Sequence, residues 1–110
     1  MLIEYTRKYV EAFSSKDIEA VSALLGNEFV LEDPVVKRVE GKKKVLECIQ
    51  GIFDSCKELD FSAKNIYQAG NTTIIEFILK FDDTTLNGVD IIEWEQEKMI
   101  ELRAYLDVPK

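Results

Sequence analysis

Three residues of this 110-residue chain pair a useful chemistry with a setting that could bury it: Tyr9, Asp33 and Asp90. Tyr9 belongs to the set Leu2, Tyr5, Thr6, Tyr9, Val10 and Phe13, whose spacings of three and four mark the core-facing stripe of an amphipathic helix. Asp33 stands before Pro34, where proline drives the preceding residue out of the α region and breaks an extended segment. Asp90 alternates with Ile92 and Trp94, so it is the one acidic residue on an otherwise apolar strand face. A carboxyl buried without a cation is pushed toward its neutral form, and a neutral acid donates a hydrogen bond. Neutral Asp90 and the Tyr9 phenol would then be two donors for one carbonyl oxygen, stabilising an enolate, while Asp33 shuttles the α-proton as general base. Each residue also has a plainer reading. A tyrosine on such a stripe packs in cores with its hydroxyl near the surface, aspartate before proline serves turns, and Asp90 follows Asn87-Gly88, where a hairpin would leave it on a solvated strand end.

The elements that would position these residues can be traced from spacing. The first helix runs to about Ser14, with Glu4, Arg7, Lys8 and Glu11 on its wet side. Asp17 is placed to cap a second, short helix carrying Ile18, Val21, Leu24 and Leu25, with Gly26 as its stop. Phe29 to Leu31 and the β-branched Val35, Val36 and Val39 read as short extended segments around 29–39. From Lys42 to Cys56, Val45, Ile49, Ile52, Phe53 and Cys56 again keep helical spacing, although Gly51 inside it costs up to about 1 kcal/mol. The remaining half reads as four strands near 59–69, 72–81, 85–95 and 99–108, punctuated by Gly70-Asn71, Asp82-Asp83, Asn87-Gly88 and Gln96-Glu97. Helices first and an antiparallel meander after give one α+β domain over 1–110.

Period-two alternation divides the strands into two faces. One collects Phe61, Ala63, Tyr67, Ile75, Phe77, Leu79, Phe81, Asp90, Ile92, Trp94, Ile100, Leu102, Ala104 and Leu106. A strongly curved sheet closed by three helices would leave a cone-shaped pocket on that face. Its expected wall is Phe13, Leu25, Ile49 and Phe53 from the helices, with Phe77, Leu79, Ile92, Trp94, Leu102 and Ala104 from the strands. The other face mixes Ser62, Lys64, Glu76, Lys80, Glu93 and Arg103 with Ile66, Ile74, Ile78 and Ile91. Four isoleucines exceed what a fully solvated face usually carries, so a second copy of the chain is expected to cover it, forming a homodimer.

Composition bounds the function. With 14 basic and 21 acidic residues, a net charge of −7 and no histidine, the chain repels phosphate backbones and anionic membranes, and neither is expected as a partner. The basic run Lys42 to Lys44 is short and flanked by Glu40 and Glu47, the solvated start of a helix. No run of eighteen apolar residues suits a membrane span, and Met-Leu-Ile-Glu-Tyr-Thr-Arg-Lys lacks the order of a signal peptide, so the expected location is the cytoplasm. Cys48 and Cys56, eight apart on one helix, lie about 12 Å apart along its axis, beyond disulfide reach. Without histidine, no metal site is expected, and the chemistry outlined requires no cofactor.

The stretches Lys8-Tyr9-Val10-Glu11-Ala12, Ala23-Leu24-Leu25, Val30-Leu31-Glu32-Asp33-Pro34-Val35, Gly41, Val89-Asp90-Ile91-Ile92-Glu93-Trp94 and Lys98 to Leu106, with the Asp17 cap, resemble the nuclear-transport-factor-2-like superfamily, specifically its SnoaL-like and ketosteroid isomerase members. The likeness spans nearly the whole chain. It implies a cone-shaped, cystatin-like roll, a curved sheet wrapped around a helix and commonly dimeric through the sheet. It also implies roles: Tyr9 falls on the isomerase's oxyanion-hole tyrosine, Asp33 on its general base and Asp90 on its protonated oxyanion-hole aspartate, a carboxylic acid known to stay neutral at physiological pH. Two departures stand out. The short Phe81-to-Asp90 connection would put Asp90 near a wet hairpin tip, and Ile49 occupies a place where the isomerases tend to carry a pocket tyrosine. The expected activity is proton transfer α to a ketone without a cofactor. An aldol-closing polyketide cyclase and a non-catalytic dimeric module, binding a small apolar ligand or a protein through a Tyr9–Asp90 pair, are the alternatives. Arg103 alternates outward between Leu102 and Ala104, which leaves an epoxide-opening Asp-Arg-Asp arrangement without its cation, and Glu32 points away from Asp33.

Overall fold

A computed structural model describes residues 2–34 and 37–107. Helix α1 spans Leu2–Ser14, α2 Ile18–Leu24 and α3 Lys42–Asp54, and the strands are β1 Leu25–Asp33, β2 Lys37–Glu40, β3 Leu59–Ala69, β4 Thr72–Phe81, β5 Thr84–Glu95 and β6 Lys98–Leu106. The fold is α+β, but its sheet has six strands in the order β2-β1-β6-β5-β4-β3 where the meander alone supplied four. The short extended segments account for the difference. β1 lies parallel to β6, with Leu31 beside Leu102, and β2 turns back antiparallel on β1, with Val39 opposite Leu31. Val35 and Val36 lie outside the described residues. Asp17 caps α2, its Oδ1 accepting from the Ala20 amide at 3.1 Å. The helix ends sooner than its apolar spacing suggests, because Leu25 is already extended at φ −90°, ψ 136° and opens β1.

Two β-bulges overturn part of the face assignment. Between Ala63 and Asn65 the β3–β4 register slips by one residue, so that Ile66 pairs with inward Ile75 and Tyr67 with Ile74. Tyr67 is consequently 55% exposed on the outer face and Ile66 packs inward. Between Glu93 and Trp94 the β5–β6 register slips again, pairing Trp94 with Met99. Ile100 becomes the extra residue and is 39% exposed, while Met99 takes the buried place. Each inserted residue also bends its strand and steepens the local twist. The helices close over the inner face, α1 against β3 and β4, and α3 against β1 and β2.

The Asn87-Gly88 pair is no turn. The β4–β5 connection is made at Asp82 and Asp83, where Asp82 adopts φ 53° and its carboxylate accepts from the Lys57 and Glu58 amides at 3.0 and 3.1 Å. Gly88 runs mid-strand opposite Phe77 and Leu106. A Cβ there would stand 2.6 Å from the Tyr105 carbonyl oxygen, 2.7 Å from Phe77 Cζ and 2.9 Å from Leu106 Cδ2, so only glycine leaves the Phe77 ring and the Leu106 side chain their places.

Candidate active site

Tyr9, Asp33 and Asp90 all line one cavity of about 90 Å³, together with Phe13, Leu25, Phe29, Leu31, Ile49, Ile52, Phe61, Phe77, Leu79, Leu102, Ala104 and Leu106. The sheet register explains the placement of the two carboxyls. Ala104 on β6 is directly opposite Asp90 on β5 and lies one residue beyond Arg103, which pairs with Glu32 on β1. Asp33, Ala104 and Asp90 thus form a row across three strands, and two strand spacings set the carboxyl-bearing backbones roughly 10 Å apart. The small Ala104 side chain between them keeps the row open. Asp33 ends β1 half-buried, next to Pro34.

Asp90 is 4% exposed. Burial, and then the negative charge of Asp33, push its pKa up from the ordinary 3.8 to about 8, so it is neutral and a donor at physiological pH. The wet strand end considered for Asp90 is therefore not found, because the turn lies well before it, at 82–83. Tyr9, 5% exposed, is lifted well above its ordinary pKa of 10 by burial and by Asp90. Its ring packs edge-on against Phe61 with centroids 6.1 Å apart and against Phe13 at 5.9 Å. Among the described residues neither the Tyr9 hydroxyl nor the Asp90 carboxyl has a hydrogen-bond partner, and no hydrogen bond joins the two. Both polar groups instead border the cavity.

Of the expected wall, Phe13, Leu25, Ile49, Phe77, Leu79, Leu102 and Ala104 line this cavity, and Phe53, Ile92 and Trp94 do not. Phe53 stacks behind Phe13 at 5.1 Å. Trp94 belongs to the closed end of the cone. Its indole Nε1 donates to Thr73 Oγ1 at 2.9 Å, Thr73 in turn pairs with Thr6 at 2.9 Å, and the Trp94 ring meets Tyr5 at 6.2 Å. Ile92, fully buried, fills the core between these two ends. Spacing alone missed Phe29, Leu31, Ile52, Phe61 and Leu106. Ile52, Phe61 and Leu106 sit on the inward stripes that spacing had identified, and Phe29 and Leu31 join the wall through the β1–β6 pairing. Arg103 faces outward, its guanidinium paired with Glu93 at 2.8 Å and Glu101 at 3.0 Å. Glu32 pairs with Arg38 on the exposed side at 3.1 Å. Cys48 and Cys56 are both free. No described helix is long and apolar enough to cross a membrane.

A three-helix roll on a mixed sheet, enclosing an apolar cavity with convergent acid and phenol groups, defines a class of small cone-shaped α+β proteins. The SnoaL-like domain model matches residues 6–102, and the chain belongs to that family. Solved structures carry the same fold, matching the nuclear-transport-factor-2-like cone. A protein from Kribbella flavida, provisionally assigned as a ketosteroid isomerase, superposes with a TM-score of 0.85 at 18% identity, covering 97% of this chain and 78% of that one. An LEH-like epoxide hydrolase of M. tuberculosis gives 0.80 at 17% identity, covering 96% and 81%. A provisionally assigned SnoaL-like polyketide cyclase from Shewanella denitrificans gives 0.81 at 16%, covering 94% and 88%. No curated protein sequence matches the chain. At such identities the likeness concerns the fold, and neighbours with three different activities leave the reaction to the site itself.

Proposed function

We propose that the protein is a cofactor-independent isomerase of the ketosteroid isomerase type, moving a proton α to a ketone through an enolate. The observation that carries this reading is the pair of unpartnered donors, Tyr9 and neutral Asp90, bordering an apolar cavity whose wall also holds Asp33. Asp33 takes the α-proton of a β,γ-unsaturated ketone. The electron pair of that C–H bond becomes the new double bond to the carbonyl carbon, and the carbonyl oxygen takes up the negative charge. Tyr9 and Asp90 each donate a hydrogen bond to that oxygen in a site of low dielectric, where such donors are worth most. Asp33 then returns the proton to the γ-carbon, giving the conjugated ketone. The roughly 10 Å between the Asp33 and Asp90 backbones leaves room for a carbonyl oxygen at one end and an α-carbon at the other.

Conversion of a β,γ-unsaturated ketone to its conjugated isomer, followed by ultraviolet absorbance, tests the proposal. Turnover is expected in the wild type and a loss of at least 100-fold in Asp33→Asn, in line with removal of a general base. Equal rates in the two proteins would remove Asp33 from the mechanism. The assembly is read as a homodimer through the outer sheet face, supported by the exposed Tyr67 and Tyr105, each 55% exposed, beside Ile74, Ile78 and Ile91. Sedimentation equilibrium at micromolar concentration should return twice the chain's mass, and a monomer would end that reading.

A further inference from the structure

Resting on the isomerase reading, the geometry points to the substrate class: a neutral, compact ketone whose unsaturated frame is no larger than about one six-membered ring, with fused multi-ring ketones kept out. The cavity holds about 90 Å³. That is less than the roughly 150 Å³ of an engineered protein cavity that takes up benzene, so a single ring already fills it and must extend into the half-buried mouth, and it is several-fold below the roughly 300–1,000 Å³ of pockets that enclose larger ligands. The space is small because aromatic rings fill the cone. Phe13 meets Phe61 at 5.1 Å, Phe61 meets Phe77 at 4.8 Å and Tyr9 meets Phe61 at 6.1 Å. The Phe77 ring has no room to retreat, since it already occupies the place that a side chain at Gly88 would need. Widening by rearrangement would have to break this packed series. Of the wall, only Asp33, Ile52, Leu79, Ala104 and Leu106 are half-buried, which locates the mouth at the carboxylate-bearing end of β1 and the last turn of β6.

Charge narrows the class further. Among the described residues no cation lines the cavity, and the carboxyls of Asp33 and Asp90 face it within a chain of net charge −7. An anionic substrate would meet repulsion with nothing to pair against. Among the described residues the wall also offers no polar side chain beyond the three already assigned, so a second hydroxyl or carbonyl on the substrate would be buried without a side-chain partner there.

Phenols test the size limit, because a phenol presents the oxygen and planar ring of the dienolate without reacting. Phenol, 2-naphthol and a four-ring steroidal phenol are titrated calorimetrically into the full-length protein at pH 6. Phenol is expected to bind at least tenfold more tightly than either larger compound. Leu106→Ala, which trims a half-buried residue at the mouth, should raise 2-naphthol affinity at least tenfold relative to that of phenol. Equal or tighter binding of the larger phenols to the wild type would overturn the size limit and leave the isomerase reading standing. Failure of all three to bind would overturn the enolate-holding role of Tyr9 and Asp90, and the substrate class with it.

Discussion

Replacing Asp90 by asparagine should stabilise the protein, and by an amount that depends on pH in one direction only. The wild-type carboxyl has its pKa raised from 3.8 in an unburied setting to about 8 in the folded protein. Below pH 3.8 the group is protonated in both folded and unfolded chains, and it makes no difference. Between these values the unfolded chain releases a proton that the folded chain retains, so folding loses on the order of 1.4 kcal/mol for each pH unit. Stability from this group is therefore complete at low pH and is lost as pH rises through about 8. At pH 7 the penalty is on the order of 4 kcal/mol, levelling near 6 kcal/mol above pH 8. Asparagine has nearly the same shape, keeps a donor and does not titrate. In urea unfolding of wild type and Asp90→Asn, the two should differ little at pH 4 and separate progressively to pH 8, the variant being the more stable. The same ionisation removes the wild type's donor, so isomerisation should fall about tenfold per pH unit above about 8 and not do so in the variant. A stability difference that stays constant from pH 4 to 8 would refute the claim that Asp90 is held neutral.

Two glycine substitutions should have opposite signs. Gly88→Ala forces a Cβ to within 2.6 Å of the Tyr105 carbonyl oxygen and 2.7 Å of Phe77 Cζ, backbone and a ring at the cavity floor, and should cost about 1–3 kcal/mol in thermal or urea unfolding. Gly51→Ala, exposed in the interior of α3 with nothing within 4 Å of the new Cβ, should gain about 0.5–1 kcal/mol by helix propensity alone.

The difference between those two sites also marks how far the sequence could be read. Helical spacing located α1 and α3 and set Tyr9 and Phe13 inward, because a helix face depends on neighbours three and four residues away. Strand faces were legible only up to the first inserted residue. Nothing in Ala63-Lys64-Asn65 or in Met99-Ile100 announces a bulge, yet each reversed the parity beyond it, exchanging Tyr67 for Ile66 and Ile100 for Met99. The parallel β1–β6 contact joins residues more than sixty positions apart, and local spacing contains no term for it. That contact is what sets Asp33 in a row with Ala104 and Asp90. Spacing also gives the face of a strand but not the position along the cone. Ile92 and Trp94 share the stripe of Asp90 but do not line its cavity, Trp94 packing at the end closed by Thr6 and Thr73.

What separates a functional Asp90 from an incidental one is the imbalance it leaves in the folded protein. Its carboxyl weakens folding at neutral pH, yet it has no protein hydrogen-bond partner to offset that penalty. Trp94, equally buried, shows the usual arrangement, in which a buried donor is matched within the chain by Thr73. Tyr9 repeats the pattern of Asp90, a phenol whose hydroxyl has no hydrogen-bond partner among the described residues and opens onto the same cavity. Two unmatched donors on one apolar void are satisfied together by a single acceptor atom, and a carbonyl oxygen that gains charge during reaction strengthens both bonds as it does so. No fully buried side-chain polar atom among the described residues lacks a partner, so the Tyr9 and Asp90 donors are open to the cavity they border, and that is where a ketone's oxygen would meet them.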